Sequence, residues 1–385
     1  MIRNGNGKRN KRRVIAIVCA ALLAASVSVV MLVMSNIGVS ADTPASWTLT
    51  EGEKAGYAEK APATVPINSS SDLIAYSREY ACGGHNPNDT LSITQGLGSY
   101  LELPSTSGGF ISLGVDLIHS TENNIVTRPF NGKIEFNGSK VFELDTPLFY
   151  CVTTDAKIVT SGGAANTVSL RMYDNGDLSA ASRTVFAENV VAGTTNSGTN
   201  EWMIETVFNT AIQTPYKTSS LIGTIGAGAK ASVTYTNNSK NGGYNANVED
   251  AGNVGLVCGT MGAGSQLTVK INSGLNDSFT ITSTGGNAGG IVGEMRDCAK
   301  LIFAADYSSA ATVTANASAM FAGGLVGKGF DAEIAFGAYT ATVAKTVTGG
   351  TNGGAGGMYG CYESTKDNAG SAGGTRVFDL EGFAS

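Results

Sequence analysis

Apolar and polar positions alternate in different ways along the chain, and each pattern predicts a different element. Residues 14–34 form a 21-residue run without a charge, long enough to cross a bilayer as a helix. From residue 42 to 66 there is no periodicity, which predicts a linker. Ser69, Ser70, Ser71 and Asp72 then precede apolar positions at Leu73, Ile74, Tyr76, Tyr80 and Ala81. A polar cap followed by that spacing predicts a short amphipathic helix over 72–81. Segments 90–94, 110–118, 132–136 and 141–144 read as short strands punctuated by Gly, Asn, Asp and Pro. Strand candidates continue at 168–172, 183–191 and 202–207, but 146–219 shows no repeat and is expected to form irregular β coils.

Beyond residue 220 a repeat emerges. Of the 51 glycines, 32 fall in residues 221–385. Sliding the sequence over itself aligns segments 220–226, 253–259, 287–293, 321–327 and 354–360. Their last glycines, Gly226, Gly259, Gly293, Gly327 and Gly360, are 33, 34, 34 and 33 residues apart. Each interval carries two further β runs, so three short strands per period predict one coil of a parallel β-helix. A helical repeat of similar period is excluded by the β-branched residues and paired glycines. Equivalent residues of successive coils stack about 4.8 Å apart. One column therefore comprises Thr224, Val257, Ile291, Leu325 and Met358, expected to point inward; the next comprises Ile225, Cys258, Val292, Val326 and Tyr359. The terminal glycine of each motif is expected at a corner with positive φ. The helix is placed to cap the N-terminal end, and residues 373–380 read as a further strand. The fold expected is all-β: a parallel β-helix (β-solenoid) with an N-terminal capping helix, preceded by a signal or anchor helix. It divides into 1–41, 42–66, 67–145, 146–219 and 220–385.

Charge narrows the functions. The chain holds 25 bases and 31 acids, and six bases (Arg3, Lys8, Arg9, Lys11, Arg12 and Arg13) precede the apolar run. That leaves 19 bases against 31 acids, a poor surface for nucleic acid. A basic arm, an apolar run and Val39-Ser40-Ala41 before Asp42 make the three-part plan of a secretory signal. Cleavage after Ala41 is the first reading and retention of 14–34 as a membrane anchor the second; both place the remainder outside the cytoplasmic membrane. With Cys19 removed, Cys82, Cys151, Cys258, Cys298 and Cys361 remain, an odd number with no C-x-x-C spacing. They read as single packed thiols rather than disulfides or metal ligands.

The sequences Gly-Gly-Ile-Val-Gly (289–293) and Gly-Gly-Leu-Val-Gly (323–327) resemble the GLUG motif, a glycine-bracketed repeat of bacterial surface proteins. The helix at 71–76 and the segment 129–138 resemble the N-terminal part of those proteins. The resemblance spans about residues 67–362 and implies an exported, adhesin-type β-helix with no catalytic residues to carry over. GLUG repeats also accompany immunoglobulin-A-cleaving metallopeptidases, whose H-E-x-x-H motif is absent from this sequence. The segment 103–108 only superficially resembles a sortase signal.

Paired acids suited to polysaccharide cleavage would be Glu249 with Asp250, or Glu294, Asp297 and Asp331 in different coils, Asp297 and Asp331 being 34 residues apart. No matching base or aromatic flanks them, so they read as solvated turn acids. The glycine run 353–357 lacks both the carboxylate of a calcium repeat and the Lys-Ser/Thr of a phosphate loop. The two histidines, His85 and His119, read as turn and surface residues, and Trp47 and Trp202 as isolated. The expectation is therefore no catalytic, cofactor-binding or metal-binding residue, no cofactor and no enzymatic activity. The expected role is adhesion, binding or structural display at the cell surface toward a host or environmental glycan or surface protein. The alternatives are a lyase or glycosidase on the same scaffold, or the non-catalytic N-terminal part of a larger surface protein.

Overall fold

A computed structural model describes residues 47–364 apart from 94–99, 104–107, 122–123, 137–139, 145, 161–166, 173–185, 194–201, 209–219, 238–244, 273–277, 305–311, 319 and 337–345. The run 14–34 and the strand expected at 373–380 lie outside these residues. No helix of the described residues is long and apolar enough to cross a membrane.

The described residues form a parallel β-solenoid. Seven strands stack in one sheet: Phe149–Thr153, Ala187–Val191, Ile222–Ile225, Cys258–Met261, Val292–Met295, Val326–Phe330 and Tyr359–Glu363. We call it the motif sheet because the glycine motif feeds it. A long sheet stacks eight strands, among them Thr167–Met172, Trp202–Phe208, Lys230–Asn237, Gln266–Asn272, Lys300–Phe303 and Glu333–Phe336. A lateral sheet contains Asn245–Asp250, Ser278–Ser283, Thr312–Ala317 and Thr346–Thr348. Finally, a corner sheet is built from dipeptides: Val254–Gly255, Ala288–Gly289, Ala322–Gly323 and Ala355–Gly356. From residue 258 onward each coil runs motif, long, lateral, corner and back to motif. The strands at 149–208 were expected to be irregular, yet they lie in register beneath the repeats: Ala187 pairs with Ile222, and Trp202 with Ala231. Unequal connections, not unequal strands, hide their period in the sequence.

The pairing corrects the sequence alignment in its first repeat. Ile222 pairs with Cys258 and Ile225 with Met261, so Gly223, not Gly226, stands beside Gly259. The first period is thus 36 residues. Gly226-Ala227-Gly228 instead matches the turn Gly262-Ala263-Gly264, with Gly262 N donating to Ile225 O and Gly228 N to Ala263 O. Leu221 replaces Thr224 in the inward column, and Leu221, Val257, Ile291 and Leu325 are all buried. Ile222, Cys258, Val292 and Val326 are buried as well, because the chain bends between corner and motif strands and turns both columns inward.

The motif glycines are also required for a different reason than expected. None of Gly259, Gly293, Gly327 or Gly360 has positive φ. Their constraint is backbone contact: a Cβ on Gly293 would lie 2.4 Å from Val254 N, and one on Gly360 2.4 Å from Ala322 O. The corner glycines face the same crowding, since a Cβ on Gly289 would sit 1.9 Å from Val292 O and one on Gly323 1.8 Å from Val326 O. Positive φ falls instead in the turn from the motif sheet to the long sheet, at Gly228 and Gly264 and, in the next coil, at Cys298 with φ 63°.

The N-terminal end is closed as the sequence expects. Helix α1 covers Glu51–Lys54 and helix α2 covers Ser70–Ala81. The Ser69 side chain accepts from Asp72 N, and the Asp72 carboxylate accepts from Asn68 N at 2.8 Å, which satisfies donors that α2 leaves unpaired. Leu73, Tyr76 and Tyr80 of α2 are buried in the main core. From Tyr80 an aromatic column runs into the solenoid through Phe130, Phe149 and Phe186, with centroid separations of 6.1, 5.6 and 5.6 Å. The stretch expected as a linker is partly structured: Thr64–Ile67 pairs with Thr90–Ile93 in an opening sheet that also contains Lys133–Phe136 and Lys157–Thr160. Arg78 of α2 grips Glu53 of α1 through Nε and Nη2 at 2.8 and 2.9 Å, and Nη2 also donates to Thr48 O at 2.8 Å. This pair holds the Glu53 carboxyl down at about 2.

Two measurements test this architecture. Gly289→Ala should destabilise the protein by at least about 3 kcal/mol, because backbone cannot move away as a side chain does. Cys298→Gly should instead stabilise it by about 0.5–1 kcal/mol by relieving a left-handed conformation. Denaturant unfolding reads both. Because the folded pKa of Glu53 is depressed below 4.5, its contribution is present above that value and lost as pH falls toward 2. Protection of the amides of residues 48–54, their exchange measured against that of the unfolded chain at the same pH, should fall over that window in the native protein, while in Arg78→Ala it should be lost already at neutral pH.

Candidate functional site

Four charged residues of the repeats, Glu294, Arg296, Lys328 and Glu363, cluster along the motif sheet beside the corner that precedes it. Asn253 and Asn287 occupy the same place in successive coils, where Asn287 N and Nδ2 both donate to Asn253 Oδ1, at 3.0 and 2.9 Å. In the next coil Phe321 N donates to Asn287 Oδ1 at 3.2 Å, so each asparagine closes the turn above it. Glu294 lies across this ladder. Its Oε2 accepts from Asn253 Nδ2 at 2.8 Å and Asn287 Nδ2 at 3.2 Å, and its Oε1 from Arg296 Nε at 2.6 Å. One coil on, Lys328 stands beside Glu294, pairs with Glu363 at 3.0 Å and lies 5.9 Å from the Phe321 ring centroid. With both its oxygens engaged by neighbours, Glu294 fastens the asparagine ladder to the motif sheet.

Of the other acids singled out in the sequence, Asp250, Asp297 and Asp331 serve turns and Glu249 stands in a strand. Asp297 and Asp331 do stack on successive coils, but through backbone: Gly264 N donates to Asp297 O and Cys298 N to Asp331 O. The Asp331 carboxylate accepts from the Ser364 hydroxyl. Asp250 Oδ1 accepts from Gly252 N at 2.8 Å, closing the turn after its strand. Glu249 belongs to the same strand, in register with Thr282.

His85 departs from expectation. Rather than a surface residue, it is a largely buried link, its ring 4.1 Å from that of Tyr76 and its nitrogens 3.2 Å from Asp89 and 3.3 Å from Glu79. Asp89 is 1% exposed and also accepts from Ala63 N at 2.8 Å and Tyr76 Oη at 3.2 Å. The cluster ties α2, the turn after it and the opening sheet together. The available signal was the i,i+3 placement of Tyr76 and Glu79 and the i,i+4 placement of His85 and Asp89. His119 is exposed, as read, and pairs with Asp116 at 2.7 Å. Trp47 is not isolated: it meets Tyr150 edge to face at 6.3 Å beside Leu49 and Ile125. Trp202 begins a strand of the long sheet. Among the described residues no group of three or more His, Cys, Asp and Glu is placed to hold a metal ion.

The lateral sheet presents a different surface. Inward, Phe279, Ile281 and Ala315 are fully buried. On the alternate positions Thr280, Thr314 and Thr346 stand in one column, and Thr282, Asn316 and Thr348 in the next. Thr346 and Thr348 are exposed and the others half-buried. These six positions carry no charge, and β-branching holds the threonines in few rotamers. No family model, no curated protein and no solved structure matches this chain.

The cysteines complete the picture. Cys82, Cys151 and Cys258 are buried, Cys298 is exposed and Cys361 half-buried, all as free thiols. Burial pushes the thiols up to about 11 for Cys82 and about 12 for Cys151 and Cys258, away from nucleophilic chemistry. Alkylation of the native protein at pH 8 should modify Cys298 first. Cys82, Cys151 and Cys258 should react only after unfolding, as read by peptide mass spectrometry.

Proposed function

We propose that this chain is a non-catalytic binding or display module on a bacterial cell surface, a solenoid whose lateral faces meet a glycan or a surface protein. The observation that carries this reading is the division of labour on the surface. Glu294, Arg296, Lys328 and the turn acids are engaged in fastening coil to coil, whereas the last three strands of the lateral sheet offer two regular columns of uncharged Thr and Asn, bounded by Glu249 in the strand before them. A polysaccharide-cleaving site needs two carboxylates held across a groove, and no pair of acids reviewed above has that setting. The resemblance to GLUG-bearing surface proteins supports a role outside the cell, and the basic arm, apolar run and Val39-Ser40-Ala41 support export. The net acidity of residues beyond the arm disfavours nucleic acid as a partner.

The test is an array of glycans and matrix proteins probed with the purified chain, read for retention and for release of cleaved sugar. Retention without release is expected. Release of reducing or unsaturated ends would replace this reading with the enzyme, and Glu294, Asp297 and Asp331 would be the first substitutions to make.

A further inference from the structure

We infer that the threonine and asparagine face of the lateral sheet is the binding surface, and that its ligand is a neutral, extended 1→4-linked glycan in solid form, lying along the solenoid axis with one sugar per coil. The inference rests on the binding-module reading above and names the face and ligand class for it. Three features of the face lead there.

The first is charge. Thr280, Thr282, Thr314, Asn316, Thr346 and Thr348 offer hydroxyl and amide groups with no formal charge, on a protein whose residues beyond the N-terminal arm are net acidic. An anionic polymer would be repelled by the protein as a whole and find no counter-charge at these six positions. In these columns a carboxylate stands at Glu249, one coil before Thr282, so a cationic polymer would meet a single counter-charge at the edge of the array and no repeated one. A neutral polyol matches donors and acceptors to a surface that supplies both.

The second is spacing. Strict parallel register from Ser278–Ser283 through Thr312–Ala317 to Thr346–Thr348 repeats each column at about 4.8 Å, and the two columns stand about 6.6 Å apart, twice the rise per residue. A fully extended β-1,4-linked chain advances by nearly the same distance per sugar. Over the three coils of this array its successive rings can therefore meet successive coils with only a small accumulated offset. The long sheet offers no equivalent grid, since the column of Ser232 and Thr268 continues to Ile302 and Ala335, and that of Thr234 continues to Lys270.

The third is that no aromatic ring stands in these two columns. A flat array without stacking rings makes each contact weak, so binding requires many contacts at once and a partner that is itself rigid and flat. That selects packed polymer over a soluble oligosaccharide. The stiff threonine rotamers lower the ordering cost on the protein side.

The test uses the full chain and two insoluble polymers, microcrystalline cellulose and chitin, with pull-down isotherms. Thr282→Lys/Thr314→Lys should reduce retention on the preferred polymer at least tenfold. Thr268→Lys, on the outer face of the long sheet, should leave it unchanged, and Thr282→Val/Thr314→Val should weaken it by removing hydroxyls while keeping shape. Thermal unfolding of each variant checks that the solenoid is intact. Soluble cello- or chito-oligosaccharides should compete poorly. If neither polymer retains the chain, or retention survives the lysine substitutions, this assignment is overturned. Retention through another face, or of a protein ligand only, would overturn it while leaving the binding-module reading in place. Failure to bind anything on the array would overturn both.

Discussion

The repeats of this solenoid from residue 254 onward depend on how closely backbone can approach backbone at one corner. The dipeptide strands carrying Gly255, Gly289, Gly323 and Gly356 lie directly against the strands carrying Gly259, Gly293, Gly327 and Gly360. Without side chains on either side, the chain leaves the lateral sheet, makes one short ladder contact and enters the motif sheet within a few residues. That sharp corner turns two successive columns inward, Val257 with Cys258 and Ile291 with Val292. The apolar core is dense at this corner because the glycines are bare. A glycine motif in a repeat is often understood through its dihedral freedom; here its meaning is the thickness of the polypeptide.

Polar residues near the corner follow from the same constraint. A turn this tight leaves main-chain amides unpaired, and buried amides must find partners. Asn253 and Asn287 supply them by accepting from the coil above. Glu294 is then held by the amides that the ladder projects, and Arg296 balances its charge. At the other end, His85 and Asp89 play an analogous part beneath α2. The charges of Glu294, Arg296, Asp89 and His85 are internal fastenings, and the threonines of the last three lateral strands form the plain and repetitive surface available for recognition.

The sequence was legible wherever a property repeats locally. The cap at Ser69, the apolar face of α2 and the near-constant spacing of Gly259, Gly293, Gly327 and Gly360 can be read from the residues alone. The first repeat misled because Ile225-Gly226 imitates the motif three residues after the true Ile222-Gly223. The coils at 149–208 were missed because their connections differ in length while their strands keep register. His85 looked like a turn residue, and its partners Tyr76, Glu79 and Asp89 belong to elements whose packing no local pattern reveals.

By itself, then, the sequence determined that the chain is β-rich and periodic, where its helix starts, and which columns are apolar. These are consequences of side-chain chemistry at short range. Only the tertiary structure decided which glycines face which backbone, which acids are fastened to amides, and that threonines from three separate coils form one grid. Those outcomes depend on the stacking register, and a stacking register is a relation between residues some 33 to 36 positions apart. A shift of three residues at one coil would leave the composition of every strand unchanged and move every contact.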